Sequence, residues 1–171
     1  YANGKGIKIN YKKAVYWYIK AAEQDQAEAQ LNLGLMYKYG RGVEENYTQA
    51  VFWFNKAAEK GFAEAQTNLG LMYEYGKGVK QDYMEAISWY EKAAEQDDVT
   101  AQLSLALFYK FGKGVPKDYT KVFYWYKKAA ELGDTGAQLN LGFMFQFGKG
   151  VEQDYEEAVT WYKKSAERGH P

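Results

Sequence analysis

The stretch YGKGVKQDY, Tyr75–Tyr83, can be read in two ways that lead to different folds. Two glycines flanking a lysine, followed by polar residues and an aspartate, match the start of a phosphate-binding loop. There, glycine lets backbone amides approach the anion and lysine supplies charge. Such a loop needs a strand before it and a phosphate-binding helix N-terminus directly after it. Here the preceding residues carry a helical pattern, the third glycine is missing, and the loop occurs five times along the chain. A tight turn between two helices, with glycine supplying positive backbone angles, is the better reading. Alanine at Gly76 or Gly78 is then expected to cost about 1–2 kcal/mol.

Working outward from this loop gives a period. Trp17, Trp53, Trp89, Trp125 and Trp161 follow one another at steps of 36 residues. Gly4, Gly40, Gly76, Gly112 and Gly148 keep that step, as do Gly6, Gly42, Gly78, Gly114 and Gly150. A fixed period of this size is the signature of a solenoid or array.

Each unit reads as two helices. In the first, Ala29, Leu33, Met36, Tyr37 and Gly40 recur at three- and four-residue steps; in the second, Ala50, Trp53, Phe54, Ala57 and Ala58 do the same. Asn46, Asp82, Asp118 and Asp154 can cap the second helix, and Glu85 and Glu157 are placed to complete capping boxes. Gly61, Gly133 and Gly169 supply left-handed stops, which Asp25 and Asp97 replace at a conformational cost. Four helix pairs are expected at 27–62, 63–98, 99–134 and 135–170, within a single repeat domain spanning 1–171. A partial repeat, 1–26, precedes them with only a loop and a second helix, as in a piece of a longer array.

Composition narrows the function. The 171 residues carry zero formal net charge, so no bulk basic field steers the chain toward nucleic acid or anionic lipid. Aromatic content of 18% is packing material for an ordered chain. Cysteine is absent, which excludes disulfides and thiol chemistry and fits a cytoplasmic or an exported protein. No apolar run is long enough for direct membrane insertion. The first residue is Tyr1 rather than methionine, so a processed or trimmed piece is expected, which leaves open whether a targeting signal belongs to the protein. His170 is the only histidine, which excludes histidine dyads and multi-histidine metal sites. No catalytic residue, metal site or cofactor is expected.

Other positions have structural readings. The tryptophan column, beside small alanines, is expected in the core, each truncation to alanine costing about 3–5 kcal/mol. Glu44, Glu45, Glu156 and Glu157 read as solvated charge. Glu23, Glu59, Glu95, Glu131 and Glu167 sit in a last helical turn, where negative charge opposes the macrodipole. Each is expected to accept amides from the N-terminus of the next unit's first helix.

The recurring A-x-A-Q-x-x-L-G-x-x-Y, G-x-G-V-x-x-D-Y and A-x-x-W-Y-x-K-A-A-E-x-G resemble the Sel-one-like repeat (SLR) family over essentially the whole chain. Ala106 departs from Gly34, Gly70 and Gly142, and Val122 departs from Ala50, Ala86 and Ala158, so unit 99–134 is expected to pack slightly differently. The resemblance implies an all-α fold, a right-handed alpha/alpha superhelix related to tetratricopeptide repeats, acting as a scaffold that binds other proteins.

By analogy with such solenoids, one face of the first helices lines a concave groove. It would carry Leu31, Leu35, Tyr39, Thr67, Leu71, Tyr75, Leu103, Leu107, Phe111, Leu139, Phe143 and Phe147. Lys38, Glu74, Lys110 and Gln146 would lie beside them as variable polar positions. The alternative is that these side chains pack against the neighbouring first helix. Such a groove suits an apolar peptide or an amphipathic helix. Charge varies by unit, from +3 over 1–26 to −5 over 63–98 and +3 over 99–134, which is either solvated surface or a register signal for a charged partner. The leading expectation is a non-catalytic adaptor for a protein or peptide. Alternatives are a self-assembling array joined end to end through exposed repeat ends, or a non-catalytic segment of a larger enzyme or regulatory protein.

Overall fold

The computed structural model describes residues 10–167; Gly4, Gly6, Gly169 and His170 lie outside them. Among the described residues every regular element is a helix. They run α1 (Tyr11–Glu23), α2 (Ala27–Tyr39), α3 (Tyr47–Glu59), α4 (Ala63–Tyr75), α5 (Tyr83–Ala94), α6 (Val99–Phe111), α7 (Tyr119–Glu131), α8 (Thr135–Phe147) and α9 (Tyr155–Glu167). The first helices α2, α4, α6 and α8 are apolar around much of their circumference, whereas the second helices carry a single apolar stripe. The chain forms two compact units, Tyr1–Trp89 and Tyr90–Pro171, their boundary falling inside α5.

In the first unit α2 packs on α1 and α3, and α3 on α4. Its core joins Leu31 to Ala50, Phe54, Ala57, Ala58, Ala65, Leu69 and Met72, beside a cluster of Val15, Ala22, Ala29, Leu33 and Met36. In the second unit α7 packs on α6 and α8, and α8 on α9. There Ala106, Tyr109, Val122, Tyr126, Leu141, Met144 and Trp161 share one core. Helices approach closely where side chains are absent: a methyl at Gly34 would stand 2.6 Å from two atoms of the Phe54 ring. Gly142 meets the Tyr162 ring in the same way. Ala106 is fully buried in the cluster that holds Tyr126.

The tryptophans are not the core column. Trp17 is 59% exposed, Trp53, Trp89 and Trp125 are half-buried, and only Trp161, at 9%, is nearly enclosed. The residue one position later, Phe54, Tyr90 or Tyr126, is the buried one. One step along a helix turns the side chain by about 100°, so adjacent aromatics take opposite roles. Trp53 and Trp125 instead stand edge-on to their neighbours Phe52 and Tyr124, at 4.9 and 4.8 Å between ring centroids.

The turns follow from local chemistry. Asn46, Asp82, Asp118 and Asp154 each accept a backbone amide three residues on, at 2.9–3.1 Å. The expected capping boxes at Glu85 and Glu157 are not closed. The cap amides Asp82 N and Asp154 N donate instead to Tyr73 O and Phe145 O, both at 3.0 Å. Asn46 and Asp118 make the same bond to Tyr37 and Tyr109. This bond fastens the start of each second helix to the first helix of its pair, leaving the glutamates without the donor a capping box needs.

A second device joins successive pairs. Asp25, Gly61, Asp97 and Gly133 all have positive φ. The amides of these residues and their successors close Schellman turns, such as Asp25 N to Ala22 O and Gln26 N to Ala21 O. The carbonyls of Ala22, Ala58, Ala94 and Ala130 also accept from the buried amides of Gln30, Gln66, Gln102 and Gln138, at 3.1–3.3 Å. The glutamates expected to cap the next helix do not: Glu23, Glu59, Glu95, Glu131 and Glu167 are exposed. The role falls at α6 and α8 to Asp98 and Asp134, whose carboxylates accept from Ala101 N and Ala137 N at 2.8 and 2.6 Å.

Asp25 offsets its left-handed backbone with side-chain bonds. Its carboxylate meets Lys60 Nζ at 2.5 Å and accepts from Gln30 Nε2 at 3.0 Å, and Lys60 Nζ also donates to the Asp25 carbonyl. The Lys60 hydrogen bond, then that from Gln30, holds the carboxyl below its ordinary value of 3.8. The resulting stability is present above that value and is lost as pH falls through the depressed one. Asp25→Asn is expected to flatten the acid limb of the stability–pH profile by slightly lowering stability at neutral pH, with little change at pH 3, the loss being small because the pair is solvent-exposed. Urea titrations between pH 3 and pH 7 check this, and parallel profiles for both chains would count against it.

Candidate peptide-binding face

The loop lysines have a structural place. Lys77 lies over the Tyr47 ring at 5.0 Å, Arg41 over Tyr11 at 5.8 Å and Lys149 over Tyr119 at 5.9 Å. Each tyrosine is the first residue of the preceding pair's second helix, so the cation is held over a ring of the neighbouring repeat. The second loop glycine packs on the backbone of the same tyrosine. A Cβ on Gly78 would run into the Tyr47 carbonyl, and one on Gly150 into that of Tyr119. The loop therefore turns its backbone toward protein, where a phosphate loop would turn it toward an anion.

Each first helix ends in an exposed aromatic residue. Tyr39, Tyr75, Phe111 and Phe147 are 52%, 61%, 58% and 60% exposed. Each precedes a left-handed glycine, Gly40, Gly76, Gly112 or Gly148, which stops the helix and leaves the last ring at its edge. Leu107 and Phe143 are exposed as well, while Leu35, Leu71, Leu103 and Leu139 are half-buried. Leu31, Thr67 and Glu74 are buried and offer no surface, a correction to the set expected from the sequence. Of the polar positions, Lys38, Lys110 and Gln146 are partly accessible. Lys38 donates to Asn68 Oδ1 at 2.7 Å, and Gln146 Oε1 accepts from the Tyr162 hydroxyl at 2.6 Å.

In the second unit this face opens into a cavity of about 370 Å³. Val122, Tyr126 and Met144 form its buried floor, and Phe143 and Phe147, stacked at 6.5 Å between centroids, form a wall. Burial pushes the Tyr126 hydroxyl up from its ordinary range, so it stays protonated. Lys110, Asn140 and Lys149 add polar groups to the lining. Sequence reasoning found Phe143, Phe147 and Lys110 but missed Asn140, Tyr126 and Lys149. Asn140 recurs in step with Asn32 and Asn68, and that column was a readable signal. Among the described residues no three His, Cys, Asp or Glu side chains group to hold a metal ion. No helix among them is long and apolar enough to cross a membrane.

The Sel1 repeat profile matches residues 1–26, 27–62, 63–98, 99–134 and 135–170. The structure is similar to c5321, a protective antigen of uropathogenic Escherichia coli strains displaying an SLR fold, with TM-score 0.96 and 42% identity. That match covers 99% of this chain but only 36% of the E. coli chain. A Sel1 repeat protein from Oxalobacter formigenes matches with TM-score 0.90 and 42% identity, over 99% of this chain and 69% of that one. Helicobacter pylori cysteine rich protein B matches at TM-score 0.53 and 28% identity, over 68% of this chain and 89% of its own. No curated protein matched. The shared architecture is an all-α solenoid of helix pairs.

Proposed function

The chain belongs to the Sel1 repeat family, generally protein-interaction scaffolds, and from that premise we propose that it is a non-catalytic adaptor binding a protein or peptide along its first helices. One observation carries this reading: the aromatic ring ending each of the four first helices is more than half exposed. Exposed aromatics recurring at the same position of each first helix are rich in unrealised burial energy, and aromatics are enriched among interface anchors. The partly accessible polar residues beside them would set specificity, because a misplaced partner charge would be desolvated without compensation.

The test is a pulldown from the source organism with two double variants. Tyr75→Ala with Phe111→Ala removes two first-helix rings, and Phe52→Ala with Tyr124→Ala removes two comparably exposed second-helix rings. The first double is expected to lose the partner by tenfold or more, about 1.4 kcal/mol or above, and the second to retain it. Retention of every partner by the first double, or equal loss by both, would overturn the assignment to this face.

A further inference from the structure

The second unit's cavity differs chemically from the matching face of the first. Lys38 and Asn68, in step with Lys110 and Asn140, are hydrogen-bonded to each other, so that lysine is already satisfied. In the second unit Lys110 and Asn140 both line the cavity, and the Asn140 amide is spent on Gly136 O. The Lys110 ammonium makes only a ring contact, 5.8 Å from the Phe111 centroid. Lys149 likewise faces only the Tyr119 ring. Neither has a carboxylate within ion-pair distance among the described residues, and no acidic residue lines the cavity. The Tyr126 hydroxyl at the floor also makes no hydrogen bond among them.

We propose that this cavity selects an acidic peptide segment, with an apolar side chain seated between the Phe143–Phe147 wall and the floor and a neighbouring carboxylate held at Lys110 and Lys149. The inference rests on the adaptor reading above and adds the chemistry of the ligand. Three features support it together. The floor of Val122 and Met144 rewards an apolar group. Partly buried Lys110 and exposed Lys149 place two cations beside one apolar cavity, which favours an anionic group over a neutral one there. The Tyr126 hydroxyl supplies a further donor. Cation, apolar floor and donor converge on one pocket, so the preferred occupant carries both charges of information: apolar bulk and a negative group beside it.

Random octapeptides displayed on phage, selected on the 171-residue chain, provide the probe. Enrichment of Asp or Glu next to an aromatic or large aliphatic residue is the expected result. The best such peptide should lose about tenfold in affinity when its acid is changed to the amide, and should weaken at high salt. Lys110→Met with Lys149→Met should abolish the acidic bias, Lys110→Arg with Lys149→Arg should keep it, and Lys127→Met with Lys164→Met should leave it unchanged. The arginine pair guards against a fold defect in the methionine pair. Enrichment of apolar peptides without acidic bias would overturn this inference while leaving the adaptor reading intact. Absence of any enriched peptide would count against both.

Discussion

Gly78→Ala is expected to destabilise the chain by about 3 kcal/mol or more, while Gly76→Ala, two residues earlier in the same loop, costs about 1–2 kcal/mol. Both glycines are left-handed, with φ of 63° at Gly76 and 73° at Gly78. Any L side chain therefore meets the same conformational penalty at either. What separates them is the neighbour. A methyl on Gly76 would lie 3.2 Å from Gln81 Cβ and 3.3 Å from Gln81 N, tight but within reach of a small loop adjustment. A methyl on Gly78 would strike the Tyr47 carbonyl and stand 2.7 Å from Thr48 N. Those atoms open α3, whose first turn is tied down by the Asn46 cap, so relief requires moving one helix pair against another. Urea midpoints with unchanged slopes would measure the difference. Equal costs at the two positions would show that the close approach contributes little.

The same comparison shows what the sequence could reveal. Positive φ at both loop glycines was legible, because glycine adopts it at little cost and recurs at both positions in each repeat. Their unequal environments were not, because the obstacle at Gly78 is the backbone of Tyr47, and a backbone leaves no mark in the pattern of side chains. The cap residues were legible for a similar local reason. The destination of their own amides, nine residues back on the first helix, was not local, and the capping-box reading failed there. Tyr39, Tyr75, Phe111 and Phe147 were legible as candidate groove residues only through the resemblance to helix-pair solenoids, and each is exposed. The burial of Leu31 and Thr67 depended on packing between helices, which periodicity within one helix does not encode.

Phe54→Ala is the second large effect, expected to cost about 3–5 kcal/mol, against below about 1 kcal/mol for Trp17→Ala. Size alone would rank them the other way. Phe54 has no exposed surface, and its ring lies on Gly34 among Ala50, Ala57, Leu69 and Met72. Removing it leaves a cavity bounded by three helices that other contacts hold in place. Trp17 is mostly solvated and rests edge-on against Tyr16 at 5.1 Å, so truncation returns little new surface to water. A double-mutant cycle with Gly34 tests the geometry directly. Gly34→Ala alone should cost about 1–3 kcal/mol, because its methyl meets the Phe54 ring. In the Phe54→Ala background the obstruction is gone, and alanine's helix propensity, about 1 kcal/mol better than glycine's, should make the same change neutral or favourable. Additive costs in that cycle would show that Gly34 and Phe54 do not oppose each other. Equal losses for Trp17→Ala and Phe54→Ala would return the core to the tryptophan column.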